Sequence, residues 1–114
     1  MSMNNIALLT LPMLAASVLV ANRFVTPAGA QTVADGVAIG VANAPAAIGE
    51  RCPVVTQGTA VVEAGAAIAV GATLKVDASG RAITWASSGA KVGFAMEAAT
   101  AAGDFIEVLL LDNA

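Results

Sequence analysis

Along this chain short apolar stretches alternate with Gly, Pro, Asn and Asp. Strands are predicted at Ser17–Val20, Arg23–Thr26, Val37–Ala42, Val54–Gln57, Ala60–Glu63, Thr73–Val76, Ala82–Ala86, Val92–Met96 and Phe105–Leu111. Turn signals stand between them at Pro27-Ala28-Gly29, Ala34-Asp35-Gly36, Asp77-Ala78-Ser79-Gly80, Ser87-Ser88-Gly89 and Ala102-Gly103-Asp104. Val, Ile, Thr and Phe dominate these stretches and suit a pleated, half-buried surface. Short strands with regular turn signals predict an all-β fold, a small β-sandwich or barrel. The Ala-rich piece Glu97–Ala102 has a helical turn as its alternative, because Ala has the best intrinsic helix propensity.

Within Lys75–Ala82 the pattern is that of a hairpin. Asp77 and Ser79 can bond backbone groups in the turn, and Gly80 can take a positive φ. Ile83 and Trp85 then point to one side, Thr84 and Ala86 to the other. A faint internal repeat is also visible. Ala15-Ala16 matches Ala66-Ala67, Ala21 matches Ala72, Val25 matches Val76 and Gly29 matches Gly80. After a small shift, Gly40-Val41-Ala42 matches Gly93-Phe94-Ala95, and Ala46–Glu50 resembles Ala101–Asp104. A duplicated β unit would give an internally pseudo-symmetric domain.

Ile6–Ala21 is an uncharged, mostly apolar run, and Ala28-Gly29-Ala30 resembles a small-residue cleavage site. No Lys or Arg precedes the run, which counts against a secretory signal. Thr10 and Pro12 interrupt it, and a spanning helix needs about 20 predominantly apolar residues. The reading adopted is an extended N-terminal arm or strand over residues 1–14, buried against another chain, followed by a single β domain over residues 15–114.

Composition sharpens the picture. Hydrophobic residues make up 58% of the 114 residues and charged residues only 11%, against roughly 25% charged in an average domain. Ala, Gly and Val supply most of the excess. A small domain would leave apolar patches in water, and such patches mark interfaces. Assembly is therefore expected, with an Ala-rich monomer as the alternative. The net charge is −3 and the basic residues Arg23, Arg51, Lys75, Arg81 and Lys91 stand singly. Nucleic acid is not expected as a partner, because a phosphate-binding surface draws its affinity from clustered cations. No membrane association is expected either.

No catalytic constellation is found. His is absent, which removes the commonest general base and metal ligand. Cys52 is the only cysteine, so it forms no internal disulfide and reads as a small buried hydrophobe. Glu50, Glu63, Glu97, Asp104 and Glu107 are isolated carboxylates with nothing to place two of them in one cleft. Ser88 has no base near it in the pattern. Gly36, Gly40 and Gly49 lack the spacing of a phosphate loop. The chain reads as no enzyme, with no cofactor and no metal. Trp85 reads as the main aromatic of a small core, with an interface anchor as the alternative.

The run Gly58–Ala82 (GTAVVEAGAAIAVGATLKVDASGRA) resembles the capsid cement, or head decoration, proteins of tailed bacteriophages. Val92–Ala99, Phe105–Leu110, Asn22–Thr26 and Ala38–Ala42 fit the same family, so the resemblance covers most of the chain from Ala21 onward. It implies a β-rich structural subunit on the outer surface of the virion capsid that stabilises the major capsid protein lattice. The implied partners are the major capsid protein and neighbouring copies of the chain, as a trimer by analogy with other decoration proteins or as a dimer. The runner-up is a secreted β-rich adhesin or surface subunit, in which the N-terminal run would be a signal. Candidate contact residues toward the capsid or a neighbouring subunit are Ile6, Leu8, Leu9, Leu11, Met13, Leu14, Arg23, Phe24 and Trp85.

Overall fold

A computed structural model describes residues 7–86 and 88–110. Eight strands follow one another: β1 (Ala7–Leu14), β2 (Phe24–Val25), β3 (Gly40–Ala42), β4 (Arg51–Glu63), β5 (Thr73–Val76), β6 (Ala82–Thr84), β7 (Gly93–Ala95) and β8 (Phe105–Leu110). No helix occurs among the described residues, so Glu97–Ala102 forms bends and a turn instead. The strands form one antiparallel sheet in the order β2-β3-β4-β8-β7-β5-β6, with β1 also paired to β4. The sheet curls into a nearly closed barrel. Its ends meet where the Phe24 N–H donates to the Gly80 carbonyl at 2.9 Å, and beside this seam Gly65, just past β4, donates its N–H to the Ala82 carbonyl of β6 at 2.7 Å.

The predicted strand Thr73–Val76 is β5 as it stands, and most others are trimmed at their ends. Two predictions need correction. Ser17–Val20 is a loop that joins the sheet through one bridge, Leu19 to Ala46. Val54–Gln57 and Ala60–Glu63 are one continuous strand, because Gly58 takes φ +99° and carries the chain through a bend without ending it. The hairpin of Lys75–Ala82 forms as expected. Asp77 Oδ1 accepts the N–H groups of Ser79 at 2.8 Å and Arg81 at 2.9 Å, and Gly80 sits at φ +80°. The described part of the N-terminal run is a strand, one of the two forms expected of it. Ala7–Leu14 pairs with β4 of its own chain, from Ala7 opposite Gly58 to Leu14 opposite Arg51. Backbone donors and acceptors buried in a strand need partners, and the start of β4 supplies them locally. Residues 1–6 lie outside the described residues.

One hydrogen-bonded plan occurs twice in the chain, and β4 serves both copies. Leu14, Met13 and Leu11 pair with Arg51, Cys52 and Val54 at the start of β4. In the same way Glu63, Val62 and Ala60 at its end pair with Phe105, Ile106 and Val108 of β8. The Ala15 N–H donates to the Glu50 carbonyl at 2.8 Å, and the Ala64 N–H donates to the Asp104 carbonyl at 2.7 Å. The bridge of Leu19 with Ala46 has its counterpart in Ile68 with Ala99. β2 on β3 (Phe24 opposite Val41) corresponds to β5 on β7 (Thr73 opposite Phe94). Of the matches seen in sequence, Gly40-Val41-Ala42 with Gly93-Phe94-Ala95 and Gly29 with Gly80 coincide with this plan. Ala15 corresponds to Ala64 and not to Ala66, because β5 is longer than β2 and shifts the register between the copies.

The two copies differ in how they are covered. In the first, both sheet faces carry buried residues, one fully covered and the other only in part. Phe24, Ala38, Val41 and Val55 join the larger core with Val62, Leu74, Ile106 and Val108 of the second copy. Val25, Ala42, Cys52 and Val54 point the other way, into a smaller core closed by Ala15, Leu19 and Ala46. In the second copy only one face is buried: β8 alternates strictly, with Ile106 and Val108 inside and Phe105 and Leu109 outside.

Cys52 packs in the smaller core as expected, with Sγ 3.2 Å from the Ala44 carbonyl. Burial pushes its thiol pKa up. It should resist alkylation by iodoacetamide in the folded chain and react once urea unfolds it. Rapid modification without denaturant would refute the placement. The raised folded-state pKa means that its contribution to stability is complete below the unfolded thiol value of about 8.5. It declines as pH rises above that value toward the folded pKa.

Candidate interaction surface

The uncovered face of the second copy is a row of side chains running across four strands. Thr73 of β5 stands opposite Phe94 of β7, Phe94 opposite Leu109 of β8, and Leu109 opposite Thr59 of β4. Phe94 is 37% exposed and Leu109 40%. Met96 and Phe105, on the same side by the period of two, are 50% and 47% exposed. Opposed side chains in antiparallel strands lie close enough to form one surface. The only carboxylates beside this row on β4 and β8, Glu63 and Glu107, are both half-buried. The face is thus an aromatic and aliphatic patch on a rigid sheet. Glu107 lies between Phe105 and Leu109, and Glu63 opposite Phe105 marks its edge; the remainder is suited to contact with another apolar surface.

The same row in the first copy is Phe24, Val41, Val55 and Thr10. Its Val41 and Val55 are each 1% exposed. Phe24, expected from the sequence at an interface, is likewise buried. This is a correction: the side chain fills the barrel core and is closed to a partner. Arg23 is half-buried and held by Glu63 at 3.2 Å and by the Ser79 carbonyl at 3.3 Å. Glu63 also meets Arg81 at 3.5 Å, and Arg81 meets Asp77 at 3.3 Å. These four charged residues tie the start of β2, the end of β4 and the β5–β6 turn together at the barrel seam.

Among the remaining sequence candidates, Leu9 and Leu14 are exposed, and Leu11 and Met13 are half-buried. Leu8 lies in β1, with its side chain outside the described residues, and Ile6 lies outside them altogether. Trp85 is half-buried and belongs to neither core. Its ring nitrogen donates to the Gly89 carbonyl at 2.9 Å, and Lys91 Nζ lies 4.5 Å from the ring centroid. Phe94, Met96, Phe105 and Leu109 were missed in sequence because a strand residue facing water and one facing the core share the same apolar type. Only the strand partner reveals the side.

All five basic side chains engage groups of their own chain. Arg23 and Arg81 do so at the seam, and Lys75 meets Asp35 at 2.8 Å. Arg51 reaches the Pro12 carbonyl at 3.4 Å, and Lys91 lies over Trp85. Several carboxylates are likewise used locally. The Thr100 hydroxyl and N–H, at 2.8 and 2.9 Å, hold the Asp104 carboxyl below its ordinary pKa. Buried Glu97 accepts the Glu107 N–H at 2.9 Å. No group of three or more metal-ligating side chains occurs among the described residues. No helix among them is long and apolar enough to cross a membrane. A shallow groove lined by Val18, Leu19, Pro45, Ala46, Ala47 and Glu50 holds one carboxylate, already bonded to the Ala47 N–H at 2.7 Å.

The family model described as phage cement protein matches residues 3–110. Among solved structures, the N base of head fiber gp8.5 of bacteriophage phi29 has the same fold. Its TM-score is 0.72 at 20% sequence identity, with 90% of this chain and 93% of that one covered. No curated protein sequence matches.

Proposed function

This chain belongs to the phage cement protein family, and on that premise we propose that it binds the outer surface of a phage head and stabilises the lattice of the major capsid protein. It is a capsid-associated structural protein. The observation that carries the finer reading is the family match over residues 3–110 on a chain whose second copy leaves an apolar sheet face in water. The family assignment takes the place of the secreted-adhesin reading.

Cement acts by mass action. A subunit that binds the assembled lattice and not its separated parts raises the free energy needed to open it. Contacts repeated over symmetry-related sites add avidity. We read the chain as a non-enzymatic subunit that needs no cofactor, meets the major capsid protein and copies of itself, and binds neither nucleic acid nor membrane. A trimer is the form put forward, with a dimer as the alternative. Residues 1–14, of which Ala7–Leu14 is already tied to β4, are proposed to lie against a neighbouring subunit through Leu9 and Leu14.

Heads lacking the protein should assemble but release DNA at lower temperature than heads that carry it. Heating both preparations with a dye that reports free DNA tests this. Equal release temperatures would refute the cement role.

A further inference from the structure

We infer that copies of this chain contact one another head to tail, with the exposed Phe94–Leu109 face of one copy covering the Leu11–Ile39 face of the next. The pattern for this contact is inside the molecule. The first copy of the repeated plan lays its row of Phe24, Val41 and Val55 onto the inner face of the second, where Ala60, Val62, Ala82 and Val92 are buried. The corresponding row of the second copy, Thr73, Phe94 and Leu109, covers no second sheet face among the described residues. The residues of the first copy that correspond to the receiving four are Leu11, Met13, Gln31 and Ile39, and all four are only half-buried. One end of the molecule therefore presents an uncovered row, and the other an incompletely covered seat. Each is the counterpart of a surface that the chain already joins within itself.

Alternatives fit less well. A twofold contact of Phe94–Leu109 faces would leave the Leu11–Ile39 seat half open in both copies. A head-to-tail contact buries both surfaces at once, in a heterologous arrangement that repeats from copy to copy. The basic side chains near the two surfaces are engaged within the chain: Arg51 on the Pro12 carbonyl, Lys75 on Asp35 and Lys91 over Trp85. Their match is mainly apolar, through Phe94 and Leu109 on one side and Leu11, Met13 and Ile39 on the other.

This inference rests on the self-association proposed above, and the two readings fail separately. The test uses two full-length variants. Phe94→Asp spoils the row, and Leu11→Glu spoils the seat. By size-exclusion chromatography with light scattering at micromolar concentration, wild type is expected as an oligomer and each variant alone as a monomer. Mixing the two should yield a discrete one-to-one pair, because one intact row meets one intact seat and nothing can add further. Pair formation also shows that both variants are folded. As a second measurement, a copy carrying Leu11→Cys and one carrying Leu109→Cys should form an interchain disulfide, with buried Cys52 as a bystander. A monomeric wild type, a variant that assembles normally, or folded variants that stay monomeric on mixing with no disulfide in the cysteine pair would overturn the inference. A monomeric chain that still protects heads from heat would leave the cement role standing. If Phe94→Asp then abolishes head binding, the face belongs to the shell and not to a second copy.

Discussion

Replacing Phe24 with alanine is expected to destabilise the chain by about 3–5 kcal/mol, the usual cost of removing a buried phenylalanine. Few small domains have more than about 5–15 kcal/mol in total, so the variant should stand near the edge of folding. Phe24 is among the largest fully buried side chains, and it belongs to the core shared by both copies of the repeated plan. Its loss leaves a cavity against Val41 and removes contacts that no neighbour on a sheet can move to replace. The informative control is Thr73→Ala at the corresponding place in the second copy. Thr73 is half-buried on the uncovered row, and such a change should cost less than about 1 kcal/mol. Urea unfolding of both variants at equal pH checks the contrast. Equal midpoints would mean that the two rows are covered alike, against the burial described here.

The second large effect is expected at Gly40. A Cβ built there would collide with the Val55 backbone carbonyl, and at the corresponding Gly93 it would stand 2.6 Å from the Leu109 carbonyl oxygen. Neither glycine has a positive φ. Each is needed because two strands approach too closely for any side chain. A carbonyl within a ladder cannot rotate away as a side chain can, so Gly40→Ala should cost about 3 kcal/mol, the upper part of the overpacking range. Gly93→Ala should cost somewhat less. Gly103→Ala meets open space but sits at φ +94°, which costs an L-residue about 1–2 kcal/mol. Thermal unfolding of the three variants should rank them in that order. A Gly40→Ala protein as stable as Gly103→Ala would show that the strands can separate at no cost.

Those two glycines explain why part of the repeat was legible before the structure. Gly40-Val41-Ala42 and Gly93-Phe94-Ala95 keep a residue that packing dictates. The matches around Ala15, Ala21 and Val25 slipped, because in an Ala-rich stretch almost any register finds an identity. The all-β class followed from β-branched runs between turn residues, and the Asp77–Gly80 hairpin from local chemistry that needs no distant partner. The coverage of each face was not legible. Phe24 and Phe94 look alike as apolar strand residues, yet one lies opposite Val41 inside the barrel and the other opposite Leu109 in solvent. Which is covered depends on how one half of the chain lies on the other, a relation between residues far apart in sequence.

The sharing of β4 between the two copies bears on how the chain is made. During synthesis the first copy has all its strands once β4 has emerged, but the core that covers its row of Phe24, Val41 and Val55 is incomplete until Ile106 and Val108 of β8 follow. Until β8 has been made, the nascent chain therefore carries an incompletely covered apolar surface, a state prone to aggregation. Pairing Glu63 with Phe105 also joins distant parts of the chain, and such closures are slow. The barrel should close only after β8 has been made, in one late step.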